Sequence, residues 1–224
     1  MTWPTRRHVI VTGTDTSVGK TIVTAALAVW LQAEGHRVAV VKPVQTGVTA
    51  EEPGDIDAVV ALTGSTDVHE LVRLELPLAP ESAARAVGAS LPTVADHVRT
   101  VREIEADVVL VEGAGGLLVR LDLLGGTIRD LAVALDADVV VVAREGLGTL
   151  NHVELTLASL ADVGIAARVV IGSASADPGL AERSNRSDLP RLTGAPLLGR
   201  VPEGAGALPL DQFRALAPRW FVRH

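Results

Sequence analysis

The stretch VTGTDTSVGKT, residues 11–21, decides the fold of this chain. It follows a short apolar run and leads into a helical pattern. In that position it is typical of a phosphate-binding loop, whose backbone N–H groups and helix N-terminus surround phosphate oxygens. Gly13 lies six residues before Gly19, one more than in the standard loop. In such loops the lysine reaches the outer phosphates and the next hydroxyl binds magnesium, which predicts these roles for Lys20 and Thr21.

Short β-branched segments alternate with longer helical patterns along the rest of the chain. The predicted strands are His8–Thr12, Val38–Lys42, Asp107–Glu112, Asp138–Ala143, Ala167–Gly172 and Leu197–Val201. Several are apolar almost throughout, as parallel strands are when both faces of a sheet are covered. Helical patterns lie at 19–34, 126–136, 149–163 and 179–193, whereas 43–56 and 74–93 are predicted as loops or lids. The sequence therefore predicts an α/β fold: a doubly wound, mainly parallel sheet with helices on both faces, as in phosphate-loop NTPases.

Length and composition narrow the class further. A chain of 224 residues can bury one α/β domain and is short for two, so we predict a single nucleotide-binding domain over residues 1–224. The net charge of −7 and the lack of a basic stripe argue against nucleic-acid binding. The absence of cysteine excludes disulfides and thiolate chemistry. The first apolar run is too short for a signal peptide or a membrane span, so we expect a cytoplasmic protein without membrane contact.

Lysine is used at only two places, residues 20 and 42, while the other 18 basic residues are arginine. A lysine ammonium is a compact point charge, whereas a guanidinium is a wide planar fork. A narrow pocket around a phosphoryl group would accept the first and not the second. Lys42 precedes Pro43, which ends its strand. We therefore predict that Lys42 functions with the phosphate loop, from a strand that neighbours the strand of the loop.

Two glycine-rich turns add candidate binding groups. In VVLVEGAGG, residues 108–116, Glu112 closes a buried strand where nucleotide-bound magnesium is usually held. The glycines that follow let the backbone approach a ligand closely. In GLGTLNH, residues 146–152, Thr149 or Asn151 can cap the next helix, and the free N–H groups at that helix end would suit a carboxylate.

Together these segments resemble the dethiobiotin synthase family. The matching segments, which span essentially the whole chain in the order of the family, are VTGTDTSVGKT, KPVQTG, VEGAGGLLV, LGTLNH and APLLGRVP. The longer glycine spacing in the first is itself a trait of that family. The resemblance implies an ATP- and Mg²⁺-dependent ligase of biotin biosynthesis that joins 7,8-diaminopelargonic acid and CO2. One amine becomes a carbamate, the carbamate oxygen attacks the γ-phosphate, and the second amine closes the ring of dethiobiotin and expels phosphate.

The resemblance also implies catalytic and metal-binding residues. Lys20 holds the β- and γ-phosphates, Lys42 neutralises the carbamate and the transferring phosphoryl group, and Thr16 lines the phosphate site. Thr21 and Glu112 hold magnesium together with an aspartate that opens the helix after the KP segment. That aspartate is Asp55 or Asp57; we prefer Asp55, which suits a helix N-cap followed by an apolar face.

Nucleotide and substrate contacts follow from the same resemblance. The predicted nucleotide contacts are Ser17, Val18, Gly19, Lys20, Thr21, Ile22, Glu112, Gly113, Ala114, Gly115, Ser173, Pro202, Glu203 and Gly204. The predicted contacts to the diamine substrate are Thr46 and, from the partner subunit of a homodimer, the amides of Gly148, Thr149, Leu150 and Asn151. Many members read adenine with an Asn-Asp pair after the fifth strand, where this chain has Gly172-Ser173-Ala174. The selectivity for the nucleotide base therefore stays open. The sequence also does not predict whether the oligomer is larger than a dimer.

Three other classes fit the sequence less well. Partition and septum-site ATPases carry a signature lysine where this chain has Asp15. Cobyrinate- or cobyrate-amidating enzymes need a nucleophilic cysteine, which is absent. A GTPase-like switch would need a base-reading Asn-Lys-x-Asp segment, and neither lysine lies in one.

Overall fold

The computed structural model describes residues 3–222. The strands are β1 (His8–Gly13), β2 (Val38–Lys42), β3 (Gln45–Thr46), β4 (Val68–Glu70), β5 (Arg73–Leu74), β6 (Val108–Gly116), β7 (Asp138–Ala143), β8 (Ala167–Ala174) and β9 (Leu197–Pro202). The α-helices are α1 (Lys20–Ala33), α2 (Asp55–Thr63), α3 (Pro80–Val87), α4 (Val94–Glu103), α5 (Ile128–Leu135), α6 (Thr149–Ala161), α7 (Leu180–Thr193) and α8 (Leu210–Leu216). None of the helices within residues 3–222 combines the length and apolar character needed to cross a bilayer.

Seven strands form one parallel sheet in the order β4-β2-β6-β1-β7-β8-β9, and β3 and β5 form a separate parallel pair. The α/β fold predicted from the sequence is confirmed. One expectation about neighbours is wrong, however. The strand that ends at Lys42 does not adjoin the strand that leads into the phosphate loop, because β6 pairs with both and lies between them. As a result, Glu112 of β6 stands between the two lysine-bearing elements.

The sheet is covered on both faces by apolar helices, which explains the unbroken apolar strands. Side chains alternate along β1: Val9 and Val11 pack with α1, α2 and α8, while Ile10 packs on the opposite face with α4 and α5. Leu27 of α1 and Leu131 of α5 are fully buried. Burial of a leucine side chain contributes about 1.5–3 kcal/mol relative to exposure. This packing holds the start of α1 rigidly at the carboxyl edge of the sheet.

The elements that the sequence analysis missed are short and lie near the site. Edge strand β4 has three residues, too few for a periodic pattern. The segment predicted as a loop over 74–93 contains α3, which begins at Pro80 and packs Ala83 and Ala84 against the core. The predicted loop 43–56 contains β3 and the first two residues of α2. Helix α4 is capped by Thr93, whose hydroxyl accepts a hydrogen bond from the Asp96 amide.

Candidate active site

The phosphate-loop motif forms a tight turn between β1 and α1. Gly19 precedes α1 with a φ of 95°, and Ser17 has a φ of 57°, which is uncommon for a residue with a side chain. A Cβ on Gly19 would lie 2.5 Å from the Gly172 carbonyl oxygen on β8, so only glycine fits there. The turn leaves the first amides of α1 without helical partners, which suits an anion.

Lys42 lies at the centre of a charged cluster. Its Nζ is 2.9 Å from Glu112 Oε1 and also contacts Asp55 Oδ2. Thr21 Oγ1 lies 3.0 Å from Asp55 Oδ1 and 2.9 Å from Glu112 Oε1, and its single proton can be donated to one of them at a time. The start of α1, the end of β2, the start of α2 and the middle of β6 each contribute one side chain.

Burial and charge shift the pKa values of this cluster in different directions. Burial alone would lower the pKa of Lys42, but the Glu112 and Asp55 carboxylates outweigh it and raise that pKa. Burial opposes ionisation of Asp55, yet Lys42 and the Thr21 hydroxyl hold its pKa below the usual range. For Lys20 burial prevails and lowers the pKa, with Glu112 opposing and the nearby Lys42 charge adding to the effect. The Lys20 ammonium donates to the Asp15 carbonyl oxygen at 3.0 Å rather than to a carboxylate.

A cavity of about 810 Å³ opens over the cluster. It is lined by Thr16, Ser17, Gly19, Lys20, Thr21, Ile22, Lys42, Val44, Gln45, Thr46, Gly47, Asp55, Pro77, Leu78, Ala79, Pro80, Glu112, Ala114, Gly115 and Val119. The two lysines therefore share one cavity, as the sequence analysis requires. The wall formed by residues 77–80 was not predicted; its prolines indicated only a loop or lid.

A second cavity of about 290 Å³ lies on the other side of the phosphate loop. It is lined by Ser17, Val18, Arg144, Glu145, Gly146, Ser173, Ser175, Glu182 and Glu203. The predicted nucleotide contacts Ser173 and Glu203 thus lie here, while Arg144 and Glu145 were missed. Buried Glu145 accepts from the Ser175 amide at 2.9 Å and pairs with Arg186, so it fixes one rim of this cavity. No sequence pattern indicated that pairing, because the partners are far apart along the chain.

Two predictions about helix starts are corrected. Of the two aspartates left open, Asp55 contacts Lys42 and Thr21, whereas Asp57 Oδ2 accepts from the Gly54 amide at 2.7 Å and lies 3.6 Å from Arg73 Nη2. Asp55 is nevertheless not the N-cap of α2: Gly54 is, and Asp55 is the first helical residue. Likewise neither Thr149 nor Asn151 caps α6, whose N-cap is Gly148 with a φ of 89°.

The remaining predicted contacts lie around these cavities without lining them. Residues 148–151 begin α6 near the second cavity, which Gly146 lines, and within residues 3–222 they line neither cavity. Pro202 and Gly204 flank Glu203, and they too are outside both linings in the described chain. Gly113 contributes its carbonyl oxygen, 3.5 Å from Lys42 Nζ.

Comparison with known proteins shows the family of this chain. A family model described as an AAA domain matches residues 7–206. An ATP-dependent dethiobiotin synthetase of Rhodococcus jostii is 55% identical over 95% of this chain and 93% of its own length. The chain belongs to the dethiobiotin synthetase family. Dethiobiotin synthetases of Streptomyces coelicolor and Mycobacterium avium are 50% and 48% identical to it, over 95% and 96% of this chain and 91% and 95% of their own lengths.

Solved structures of proteins outside this family share the fold of the chain. A MinC:MinD cell division protein complex of Aquifex aeolicus superposes with a TM-score of 0.56 at 15% identity, over 94% of this chain and 86% of that chain. Chloroplast FtsY of Physcomitrella patens superposes with a TM-score of 0.51 at 21% identity, over 95% of this chain and 65% of that chain. At such identities the likeness shows the fold alone.

Proposed function

We propose that the 810 Å³ cavity is where this chain carries out the reaction of its family, the ATP-dependent closure of 7,8-diaminopelargonic acid and CO2 to dethiobiotin. One observation carries the proposal: two buried ammonium groups face one cavity from the phosphate loop and from the end of β2. Electrostatic stabilisation of this kind suits phosphoryl transfer, where positioning and neutralisation of charge supply most of the catalysis. The absence of cysteine costs such a site nothing.

Each side chain has a role in that scheme. Lys20, Thr16 and the amides 17–22 hold the β- and γ-phosphates. Lys42 leaves its carboxylate partners to neutralise the substrate carbamate while a carbamate oxygen attacks the γ-phosphorus and ADP departs. The second amine then attacks the carbamoyl carbon and expels phosphate, and Thr46 contacts the diamine. The buried position of Lys42 strengthens its attraction to these anions.

The donors around Lys42 fit magnesium. Thr21, Asp55 and Glu112 present oxygen only, the ligand type that Mg²⁺ prefers. Within residues 3–222 no group of three or more His, Cys, Asp or Glu side chains could hold a metal ion. That is expected for an ion that takes one or two carboxylates plus phosphate oxygens and water. When bound there, magnesium would neutralise phosphate charge.

The smaller cavity is proposed to receive the base of the nucleotide. Ser17 borders both cavities, so a nucleotide whose phosphates follow the loop can extend from one into the other. Ser173 and Glu203 line the second cavity, with Pro202 and Gly204 beside them. In place of the Asn-Asp pair of many relatives, this chain offers serine hydroxyls and backbone groups.

The proposal is tested by assay of the purified protein with diaminopelargonate, bicarbonate and Mg²⁺. ATP and the other nucleoside triphosphates are supplied in turn, and dethiobiotin is measured. We expect product with ATP, and no product when diaminopelargonate or nucleotide is omitted. A protein that hydrolyses ATP equally well without the diamine, and forms no dethiobiotin, contradicts the proposed function.

The metal assignment predicts different effects for two nearby aspartates. Asp55→Asn removes a charge next to Lys42 and Thr21 and is expected to lower kcat by roughly 100-fold and to raise the Mg²⁺ concentration needed for half-maximal rate. Asp57→Asn removes the charge of a carboxylate that accepts from Gly54 and lies 3.6 Å from Arg73 Nη2. Its carboxylate is not among the partners of Lys42 and Thr21, so kcat should stay within about threefold of the parent protein, with a small loss of stability. Equal losses of kcat in the two variants would refute the assignment of Asp55.

We also propose that the site is completed by the partner subunit of a homodimer. The Gly148, Thr149, Leu150 and Asn151 amides line neither cavity of their own subunit, which suits a role toward the site of another. Their surroundings are apolar and exposed: Leu147 is 90% and Leu155 is 63% exposed. Such residues at the start of α6 suit burial against a second copy.

Mixed dimers test the shared site. Asn151→Asp preserves shape and suits the start of a helix, but it places a negative charge where the substrate carboxylate would bind. If sites are shared, a dimer of one Lys42→Ala subunit and one Asn151→Asp subunit has one intact site. Co-expression should then restore about a quarter of parental activity at low diaminopelargonate concentration, the value for random pairing of two subunits. Activity no higher than the average of the two variants alone would count against a shared site.

A further inference from the structure

Arg73, on β5, uses its whole guanidinium in hydrogen bonds. Its Nε and Nη2 donate to the two oxygens of Glu70 at 2.6 and 3.0 Å. Its Nη1 donates to the backbone oxygens of Thr49 and Glu52 at 2.8 and 2.7 Å. The side chain is 24% exposed, and its hydrogen bonds to Glu70 raise its pKa. The cluster described above does not include this residue, and Arg73 does not line the main cavity.

The two carbonyl groups belong to the segment 48–53, which connects the KP segment to α2. Inside this segment the Thr49 amide donates to Glu52 Oε2 at 2.8 Å. Within the described residues, every hydrogen bond that leaves the segment ends on Arg73. Residues 50–53 are exposed, so little apolar packing adds to these contacts. Arg73 therefore fixes the path of the chain into α2.

That path determines where Asp55 points. A Cβ on Gly54 would lie 2.9 Å from Arg73 Nη2, which shows how closely the backbone passes the guanidinium. The Asp55 backbone N–H donates to the side-chain oxygen Oε1 of Gln45 at 2.9 Å. The backbone N–H of Gln45 in turn donates to the Val72 carbonyl oxygen at 2.8 Å. The backbone of the strand pair β3–β5 and the Arg73 side chain thus hold the start of α2 from two sides. From that start the Asp55 carboxylate reaches Thr21 and Lys42.

We propose that Arg73 is a positioning residue of the ligase site: it holds segment 48–53 so that Asp55 meets Thr21, Lys42 and Glu112. The inference rests on the proposed function, since it takes Asp55 as part of the reaction machinery. Lysine cannot replace this arginine, because one ammonium cannot bind a carboxylate through two parallel hydrogen bonds and two separate carbonyl groups at once. Groups that orient metal ligands in this way commonly affect activity without touching the metal.

The test compares Arg73→Lys and Arg73→Ala with a matched control, Arg191→Lys. Arg191 also pairs with a carboxylate, Asp188, but it is exposed on α7. In ligand-free protein, hydrogen exchange of the amides of residues 48–57 should accelerate at least about tenfold in both Arg73 variants, while the amides of β1 and β6 keep their rates. The Arg191→Lys control should match the parent protein throughout.

Kinetics in Mg²⁺ titrations supply the second measurement. Both Arg73 variants should lower kcat by roughly 10- to 100-fold and raise the half-saturating Mg²⁺ concentration about tenfold, with KM for ATP changed less than about threefold. Added guanidinium ion should restore part of the activity of Arg73→Ala and none of that of Arg191→Lys, which has no defect to correct. A general folding defect would instead accelerate exchange across the sheet as well.

The inference is overturned if Arg73→Lys keeps parental exchange in residues 48–57 and a parental Mg²⁺ dependence. Asp55→Asn separates this result from failure of the proposed function. If Asp55→Asn changes the Mg²⁺ dependence and the Arg73 variants do not, the positioning role alone is wrong. If neither changes it, the assignment of Asp55 to the metal is wrong, and the exchange data still decide whether Arg73 holds the segment.

Discussion

Lys42→Ala is expected to lower kcat for dethiobiotin formation by roughly 1,000-fold, while the dissociation constant for ATP changes by less than about fivefold. The side chain is 3% exposed and its ammonium is the cation that faces Asp55, Glu112 and the main cavity together. Its removal deprives the transferring phosphoryl group and the carbamate of a buried positive charge. ATP itself is held mainly by the phosphate loop, so its binding should survive.

The same change has a consequence for the ligand-free protein. Without Lys42, the Asp55 and Glu112 carboxylates keep the Thr21 hydroxyl as a shared partner but lose the cation that contacts both. Like charges repel each other, so we expect the two carboxylates to move apart in the variant. Calorimetric titration with ATP measures the dissociation constant of the variant, and a steady-state assay of dethiobiotin formation measures its kcat. Near-parental turnover by Lys42→Ala, or loss of ATP binding as large as the loss of kcat, would show that the role is misassigned.

Lys20→Arg is expected to be as damaging to kcat/KM as Lys20→Ala, within about tenfold, although it keeps the charge. Lys20 is 7% exposed and its Nζ lies 3.0 Å from the Asp15 oxygen, inside the turn of the phosphate loop. A Cβ on Gly13 would be only 3.1 Å from that nitrogen, so the turn closes tightly around a single ammonium group. The wider guanidinium has no room to stand there and would displace the loop.

A substitution between arginine and lysine at an exposed surface site serves as the control. Arg99→Lys, at an exposed ion pair on α4, should leave kcat/KM within about twofold of the parent value. The measurement is dethiobiotin formation as a function of ATP concentration, with circular dichroism to check the fold. An arginine variant at position 20 with parental kinetics would refute the argument from lysine size.

Much of the fold could be predicted because its signals are local. Strands such as Asp138–Ala143 were predicted with their observed bounds, since a strand buried on both faces must be apolar throughout. Strand β6 was predicted to end at Glu112 but continues to Gly116, because glycines carry no apolar pattern yet still pair with β1. The helix α3 was missed because eight residues with a short apolar face do not stand out from a loop.

Some residues of the candidate site were likewise predictable from local sequence signals, and others were not. The sequence alone could single out Lys20, Thr21, Lys42 and Glu112 as candidates, because each stands beside a Gly or Pro that marks a helix start or the end of an apolar run. The choice between Asp55 and Asp57 was not available from spacing, since both lie in the first turn of α2. The two aspartates differ in where the orientation of that turn points their carboxylates: Asp55 contacts Thr21 and Lys42, and Asp57 accepts from Gly54. Arg73 helps to set that orientation through two carbonyl groups 21 and 24 residues away in the sequence.

By itself, the sequence determined the class of fold, the phosphate loop and the pair of lysines, because these depend on the order of residue types over a few neighbouring positions. Only the tertiary structure decided that β6 lies between β1 and β2, so that Glu112 faces Lys42 and Thr21. It also decided which aspartate completes the cluster and which arginine holds it there. Those facts depend on how crossover connections pack against the sheet, and packing brings together groups whose separation along the chain carries no signal.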